Sequence, residues 1–319
     1  MDALFIMLRN VILFVALAIP GYLLVKTGIL KQEQSGALSK LLMYVGMPFL
    51  ILSGTISSLN FGKEFLLLLG VVVLIGVAYI FAMFFLSKPL TAMEKKEKTR
   101  GMMRFCATFA NNGFIGIPLA IAVFGAGSPV MTVLIILNII TNILMYTLGI
   151  YLISGDKSKI SLKKAFLNPV LIAFVIGIVL NLVKIAEYIP EVVTFSDHFK
   201  GLVTPLSMTI LGMKMGAFKM RSIFSSPKIY YVSLLRLVVF PAAIVALLLA
   251  LCPLLSNVVN EAMILGVFVA FAMPTAGLAS AFADSFDGDT ENAVGMTLGT
   301  TILSIVTIPV LYWIICLFL

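Results

Sequence analysis

Charge is what this sequence has least of. Only 11% of its 319 residues are Asp, Glu, Lys or Arg, less than half the roughly 25% of a soluble domain. There is one histidine, and there are three cysteines. With no HExxH and no paired carboxylates inside an apolar run, an intramembrane enzyme would lack both metal ligands and a nucleophile with its base. Cys106, Cys252 and Cys316 stand singly in apolar segments, without a CxxC or a companion histidine. That argues against a disulfide or metal role and leaves them as small packing residues.

Apolar residues take the place of charge. They make up 61% of the chain, and the mean hydropathy is +1.14. A water-soluble core of this size cannot hide so much apolar surface, so the chain reads as an all-α integral membrane protein with lipid as its surroundings. A net charge of +8 would suit nucleic acid. The basic residues, however, fall in short connections between apolar runs, as positive-inside topology requires, and no nucleic-acid partner is expected.

A bilayer core takes about 20 apolar residues per helix. Ten runs qualify: 5–25, 36–57, 65–86, 101–124, 129–152, 169–187, 200–217, 228–251, 261–283 and 292–318. The first lacks a basic start and is followed by Lys26 and further runs, so it reads as a span and not as a cleaved signal peptide. The seventh holds Thr204, Pro205, Ser207 and Lys214 and reads as a helix packed inside protein. Lys and Arg gather after odd-numbered runs, at 26–31, 88–100, 157–164 and at Lys219 and Arg221, whereas the even-numbered connections hold Lys63, or Lys63 and Lys200. The odd connections are therefore expected in the cytoplasm and both termini outside the cell membrane. The polar loop 154–168 divides the chain into 1–153 and 169–319, with five runs each. Five is odd, so the halves insert with opposite orientations, the arithmetic of two inverted five-helix repeats.

The fourth run contains ATFANNGFIGIPLA (107–120) and the ninth AMPTAG (272–277). An interior Gly costs a helix roughly 1 kcal/mol and Pro about 3 relative to Ala, so both spans are expected to break near mid-membrane. A broken helix frees an N-terminus with unpaired N–H donors and about half a positive charge. Two such ends facing one cavity suit an anion. The candidate substrate-binding residues are Asn111, Asn112, Gly113, Gly116, Pro118, Pro274, Thr275 and Gly277. The plainer alternative is that these residues only kink their helices.

Asn138, Thr141 and Asn142 share one face of the fifth helix, as Thr297, Thr300 and Thr301 do in the tenth. These faces line the cavity, hold a coupling ion, or join helices by hydrogen bonds. Arg236, inside the eighth run, is a functional candidate by its depth; it either draws in a carboxylate from the cytoplasm, or else snorkels or pairs within the bundle. Lys214 is expected at the membrane interface, His198 in an outer loop as a solvated residue, and 284–291 (DSFDGDTE) as a turn leading into a capped helix. No acid sits in mid-membrane, so the coupling ion, proton or sodium, stays open; no other cofactor and no metal is expected.

NNGFIGIPL in the fourth run, MYVGMPFLILSG (43–54), PLSMTILGMKMG (205–216) and the ninth-to-tenth region resemble the auxin efflux carrier family, within the bile/arsenite/riboflavin transporter superfamily. The resemblance covers nearly the whole chain. It implies that spans 1, 2, 6 and 7 form a scaffold and spans 3–5 and 8–10 a moving transport domain, with broken spans 4 and 9 crossing at the substrate. It also implies dimerisation through the scaffold. Asn111, Pro118 and Pro274 match family positions, while Asn112 stands where Thr is common. The short loop at 154–168 resembles that of bacterial permeases for malate, malonate and similar carboxylates. The expected function is secondary transport of a small organic anion by an elevator mechanism. The alternatives are a carrier of auxin-like aromatic carboxylates and a sensor or channel on the same scaffold.

Overall fold

The computed structural model describes residues 2–58, 63–125, 127–160, 162–217, 226–254 and 259–319, nearly all of them helical. Lys219 and Arg221, used above for orientation, lie outside the described residues. Helix α1 is Asp2–Lys26. α2 runs over Ser35–Leu41 and, through a wide π turn at Leu42–Gly46, over Met47–Ser58. α3 is Lys63–Leu90 and α4 is Glu97–Thr108. A π turn at Asn112–Gly116 opens α5, Ile117–Phe124. α6 is Pro129–Leu144, continued through the π turn Met145–Gly149 into Ile150–Ser154. Then come α7 (Leu162–Phe166), α8 (Pro169–Leu182), α9 (Ile185–Tyr188), α10 (Glu191–Lys200) and α11 (Val203–Ala217). α12 is Pro227–Leu234, the π turn Leu235–Val239 and Phe240–Leu251. α13 (Glu261–Phe271), α14 (Ala279–Ser285) and α15 (Thr290–Cys316) follow.

The helix starts are written in the sequence. Pro129, Pro169 and Pro227 occupy first-turn positions, where a missing N–H costs nothing. Asn168, Asn260 and Asp289 cap α8, α13 and α15, each accepting a backbone N–H two or three residues on. Three of the π turns are followed by proline at the same offset: Gly46 by Pro48, Gly116 by Pro118 and Val239 by Pro241. A proline ring clashes with the carbonyl four residues back, and widening the preceding turn relieves the clash.

Among the described residues, five helical runs are long and apolar enough to cross a bilayer: Gln32–Ile56, Phe65–Leu90, Pro129–Ser154, Pro227–Leu251 and Thr290–Cys316. Ala16–Lys26, Asn112–Phe124, Pro169–Leu182 and Glu261–Phe271 are apolar but shorter. The fourth and ninth expected spans are thus split. The sixth stops at Leu182, and Lys184 then takes a left-handed conformation (φ 54°) before α9. The expected outer loop near His198 is instead the helix α10, which leaves His198 exposed. α10 docks on α2, where Phe199 stacks on Phe49 at 4.8 Å and Asp197 accepts the Ser53 hydroxyl at 2.6 Å.

Helix contacts fall into two groups. α1 packs on α11, and α2 packs on α8, α10 and α11. In the other group α3 lies on α6, α6 on α13, and α15 on α4, α12 and α14. The groups meet where α1 touches α5 and α15, and where α11 touches the π turn Asn112–Gly116.

Candidate functional site

The two split spans are cut at the same place in space. α4 ends at Thr108, Phe109 is extended (φ −100°, ψ 119°), and helix resumes at Asn112. α13 ends at Phe271 and α14 begins at Ala279. The gaps run antiparallel. Asn111 N–H donates to the Pro274 carbonyl at 2.7 Å and Ala276 N–H to the Phe109 carbonyl at 2.9 Å, bridging Ala110 and Thr275. Each break satisfies backbone groups exposed by the other, which is the condition for irregular chain at membrane depth. Thr275, fully buried, is pinned from both sides: its amide donates to Thr300 Oγ1 (3.1 Å) and its hydroxyl to the Cys106 carbonyl (3.0 Å). Gly116 lets the breaks approach, since a β-carbon there would stand 3.1 Å from Met273 Cγ. Pro118 lies just behind, in the first turn of α5.

Four helix ends converge here, and their signs differ. The C-terminal ends of α4 and α13 carry unpaired carbonyls and partial negative charge. Arg236, fully buried in the π turn of α12, answers both. Its Nε donates to the Met273 carbonyl (3.1 Å), its Nη1 to those of Ala107 (3.2 Å) and Thr108 (3.1 Å), and its Nη2 to that of Phe271. A rigid fork of five donors suits such a cluster. Of the roles open to Arg236, the structure shows pairing within the bundle, and Arg236 does not line the cavity.

The other two ends open on a cavity lined by Asn111, Asn112, Gly113 and Phe114, by Asn138, Thr141 and Asn142, and by Ala276, Gly277 and Leu278. Met43 and Met47 of α2 and Asn168 and Val170 at the start of α8 complete its wall. Asn111 caps the fourth-span half-helix, its Oδ1 accepting from Phe114 N–H at 3.3 Å. The amides of Ile115 and Gly116 go to the Asn111 carbonyl. Those of Asn112, Gly113, Gly277 and Leu278 have no acceptor among the described residues, which leaves four donors at the cavity wall.

A relay of fixed polarity forms the opposite side. Thr141 donates to the Leu137 carbonyl (2.7 Å), so its oxygen accepts from Asn112 Nδ2 (3.0 Å). Asn112 Oδ1 therefore faces Asn138 Nδ2, at 2.9 Å, and Asn138 Oδ1 has no donor among the described residues. Asn142 Nδ2 donates to the Asn138 carbonyl at 2.8 Å.

The residues lining the cavity include neither an acid nor a histidine; Lys214, not one of them, binds Gly277, which is. Lys214 Nζ donates to the Gly277 carbonyl at 2.9 Å, and among the described residues no carboxylate pairs with it. Lys214, expected at the membrane interface, thus reaches the ninth-span break from the last turn of α11. Sequence patterning misses Met43, Met47, Asn168 and Leu278, whose place on the cavity wall depends on helix packing. Further expectations change. Gly116, Pro118, Pro274 and Thr275 belong to the crossing but are absent from the cavity wall, as is Thr300, which braces Thr275. Thr301 lines a separate apolar cleft with Ala18, Met208, Leu211 and Ser304, between α1, α11 and α15.

A family model described as membrane transport protein matches residues 5–164 and 157–312. The two stretches overlap within the expected connecting loop. An uncharacterized transporter of Methanothermobacter thermautotrophicus is 28% identical over 306 residues, covering 94% of this chain and 96% of the relative. A second uncharacterized transporter, from Methanocaldococcus jannaschii, is 26% identical over 315 residues, covering 96% of this chain and 97% of the relative.

Proposed function

Because the chain belongs to the membrane transport protein family, whose members are transporters and not enzymes, we propose that it is a secondary transporter of a small organic anion such as malate or malonate. The observation that carries this reading is the crossing of the two breaks, which leaves the amides of Asn112, Gly113, Gly277 and Leu278 without acceptors at one cavity. Unpaired N–H groups at a helix N-terminus favour negative charge. A lysine with no carboxylate partner beside the same cavity and the absence of acids from its wall favour it further. The cargo's carboxylate lies against these amides, and Asn111 Nδ2 adds a donor.

The mechanism proposed is of the elevator type. The helices that hold the cavity's donors, α3–α6 and α12–α15, move as a body against α1, α2, α8, α10 and α11. The grouping of contacts supports this division, as does the apolar cleft at the boundary, which presents few polar bonds to break. In this reading the odd-numbered connections lie in the cytoplasm of a cell with this protein in its plasma membrane, and the Lys and Arg gathered in them support that orientation.

The test is a thermal-shift screen of purified wild type and Asn111→Ala against malate, malonate and indole-acetate. A ligand that binds only the native state stabilises it by about 2.7 kcal/mol at a hundredfold excess over Kd. At least one anion should raise the wild-type Tm, with the rise lost or much reduced in Asn111→Ala. Equal response of both proteins to every anion removes Asn111 from the site. Saturable counterflow of the hit in proteoliposomes separates a carrier from a sensor or a channel.

A further inference from the structure

Lys214 stands on α11, yet its ammonium is bound to the ninth-span break. α11 belongs with α1 and α2, whereas Gly277 belongs with the helices that hold the cavity. The bond therefore joins the two groups of helices at the cavity itself. Gly277 sits there at close quarters: a β-carbon on it would stand 3.2 Å from Asn111 Nδ2.

The pairing is chemically incomplete. An ammonium has three donors and a full charge. One donor goes to the Gly277 carbonyl, and no Asp or Glu among the described residues lies within ion-pair distance. A lone charge held at membrane depth is costly, and such residues mark ion or substrate paths. Arg236, the other basic side chain at the crossing, shows the contrast: its donors reach four carbonyls, none of them from a residue that lines this cavity. Arg236 is a structural clamp. Lys214 has unused charge.

We infer that Lys214 is a cargo-binding residue contributed by the stationary helices. Its ammonium passes from the Gly277 carbonyl to a carboxylate of the incoming anion. The inference rests on the anion-transport reading above and adds to it a charge-selecting group and a means of coupling. While the cavity is empty, the ammonium tethers the Gly277 loop to α11. Once cargo takes over the ammonium, the direct tether to the Gly277 carbonyl is released, and the ammonium–carboxylate contact is the one that must break as the two groups of helices slide. A second carboxylate on the cargo gives the lysine a partner while the first lies on the amides of Asn112 and Gly113, so the site selects dicarboxylates over monocarboxylates.

The experiment compares full-length wild type, Lys214→Met, Lys214→Arg and Asn111→Ala in detergent, titrated with malate, malonate and indole-acetate. Thermal shift reads both the ligand-free Tm and the affinity. Lys214→Met should weaken dicarboxylate binding by about tenfold or more, the scale of a lost charged hydrogen bond. Its ligand-free Tm should equal or exceed that of wild type, because an unpaired charge has been replaced by an apolar side chain of similar length. Lys214→Arg should retain most of the affinity. The result that overturns the inference is the opposite pair: unchanged affinity with a lowered ligand-free Tm, which makes Lys214 a mere partner for an orphan carbonyl. If Asn111→Ala alone abolishes binding, the transport reading stands and the role of Lys214 falls. If wild type binds none of the three anions, both fall together.

Discussion

At the scale of single residues, the crossing depends on Arg236 more than on the residues that face the cavity. Its guanidinium is the shared partner of carbonyls from α4 and α13, and water has no access to replace it. Arg236→Met should cost about 3 kcal/mol or more, since several buried carbonyls lose charged donors at once. Arg236→Lys should recover only part, because a point charge cannot span the cluster. Tm in detergent checks both. Thr300 makes a gentler case. Thr300→Val leaves the Thr275 amide unpaired and should lower stability by about 1–3 kcal/mol while leaving anion affinity unchanged. If affinity falls with no loss of Tm, Thr300 belongs to the cavity as its sequence pattern suggested. Asn111, Asn112 and Gly113 were legible because polar and flexible residues in an apolar run have few other uses. Thr300 and Arg236 were legible only as candidates, and the bond from Lys214 to Gly277 was not legible. Their partners lie 25 to 129 residues away in the chain, and no local pattern reports that.

At the scale of helices, proline placement tells more than helix propensity. The breaks in spans four and nine were readable from Gly and Pro, as were the starts of α6, α8 and α12. The π turns ahead of Pro48, Pro118 and Pro241 were not foreseen, although their shared offset is visible in the sequence once the steric cause is known. Between helices, α1 and α11 owe their contact to Gly21, Gly212 and Gly216. A β-carbon on Gly21 would overlap the Thr209 carbonyl, and one on Gly212 the Ala18 carbonyl. Small residues that let backbones touch are a recurring device of membrane bundles. Gly212→Leu should therefore separate α11 from α1 and lower Tm by several degrees, with Gly36→Leu, where nothing lies nearby, as the neutral control. At the start of α15, Asp289 adds a pH term. Burial acts to raise its pKa, but hydrogen bonds from the Thr99 hydroxyl and the Asn292 amide and side chain outweigh it and hold the carboxyl below its ordinary 3.8. A depressed folded-state pKa means that this stability is present above the ordinary value and is lost as pH falls through the folded one. The Tm difference between wild type and Asp289→Ala should accordingly shrink on acidification below pH 3.8 and stay constant near neutrality.

At the scale of the whole molecule, the account is one of two bodies and a cavity at their junction. The two groups of helices are defined by which helices touch. A hydropathy pattern gives the number of runs and the sign of their ends. It does not give the pairing of α2 with α8 or of α6 with α13, because lipid-facing and helix-facing apolar residues look alike in composition. The central claim is that the crossing holds an anion and is presented to each side of the membrane in turn. The most direct measurement places one cysteine at Leu278 on the cavity wall, with Cys106, Cys252 and Cys316 replaced by serine. Labelling by a membrane-impermeant thiol reagent is then followed from each face of sealed vesicles, with and without malate. The expected result is labelling from both faces, slowed by malate but not by a cation of similar size. Labelling from one face only, or labelling that malate leaves untouched, would contradict the account.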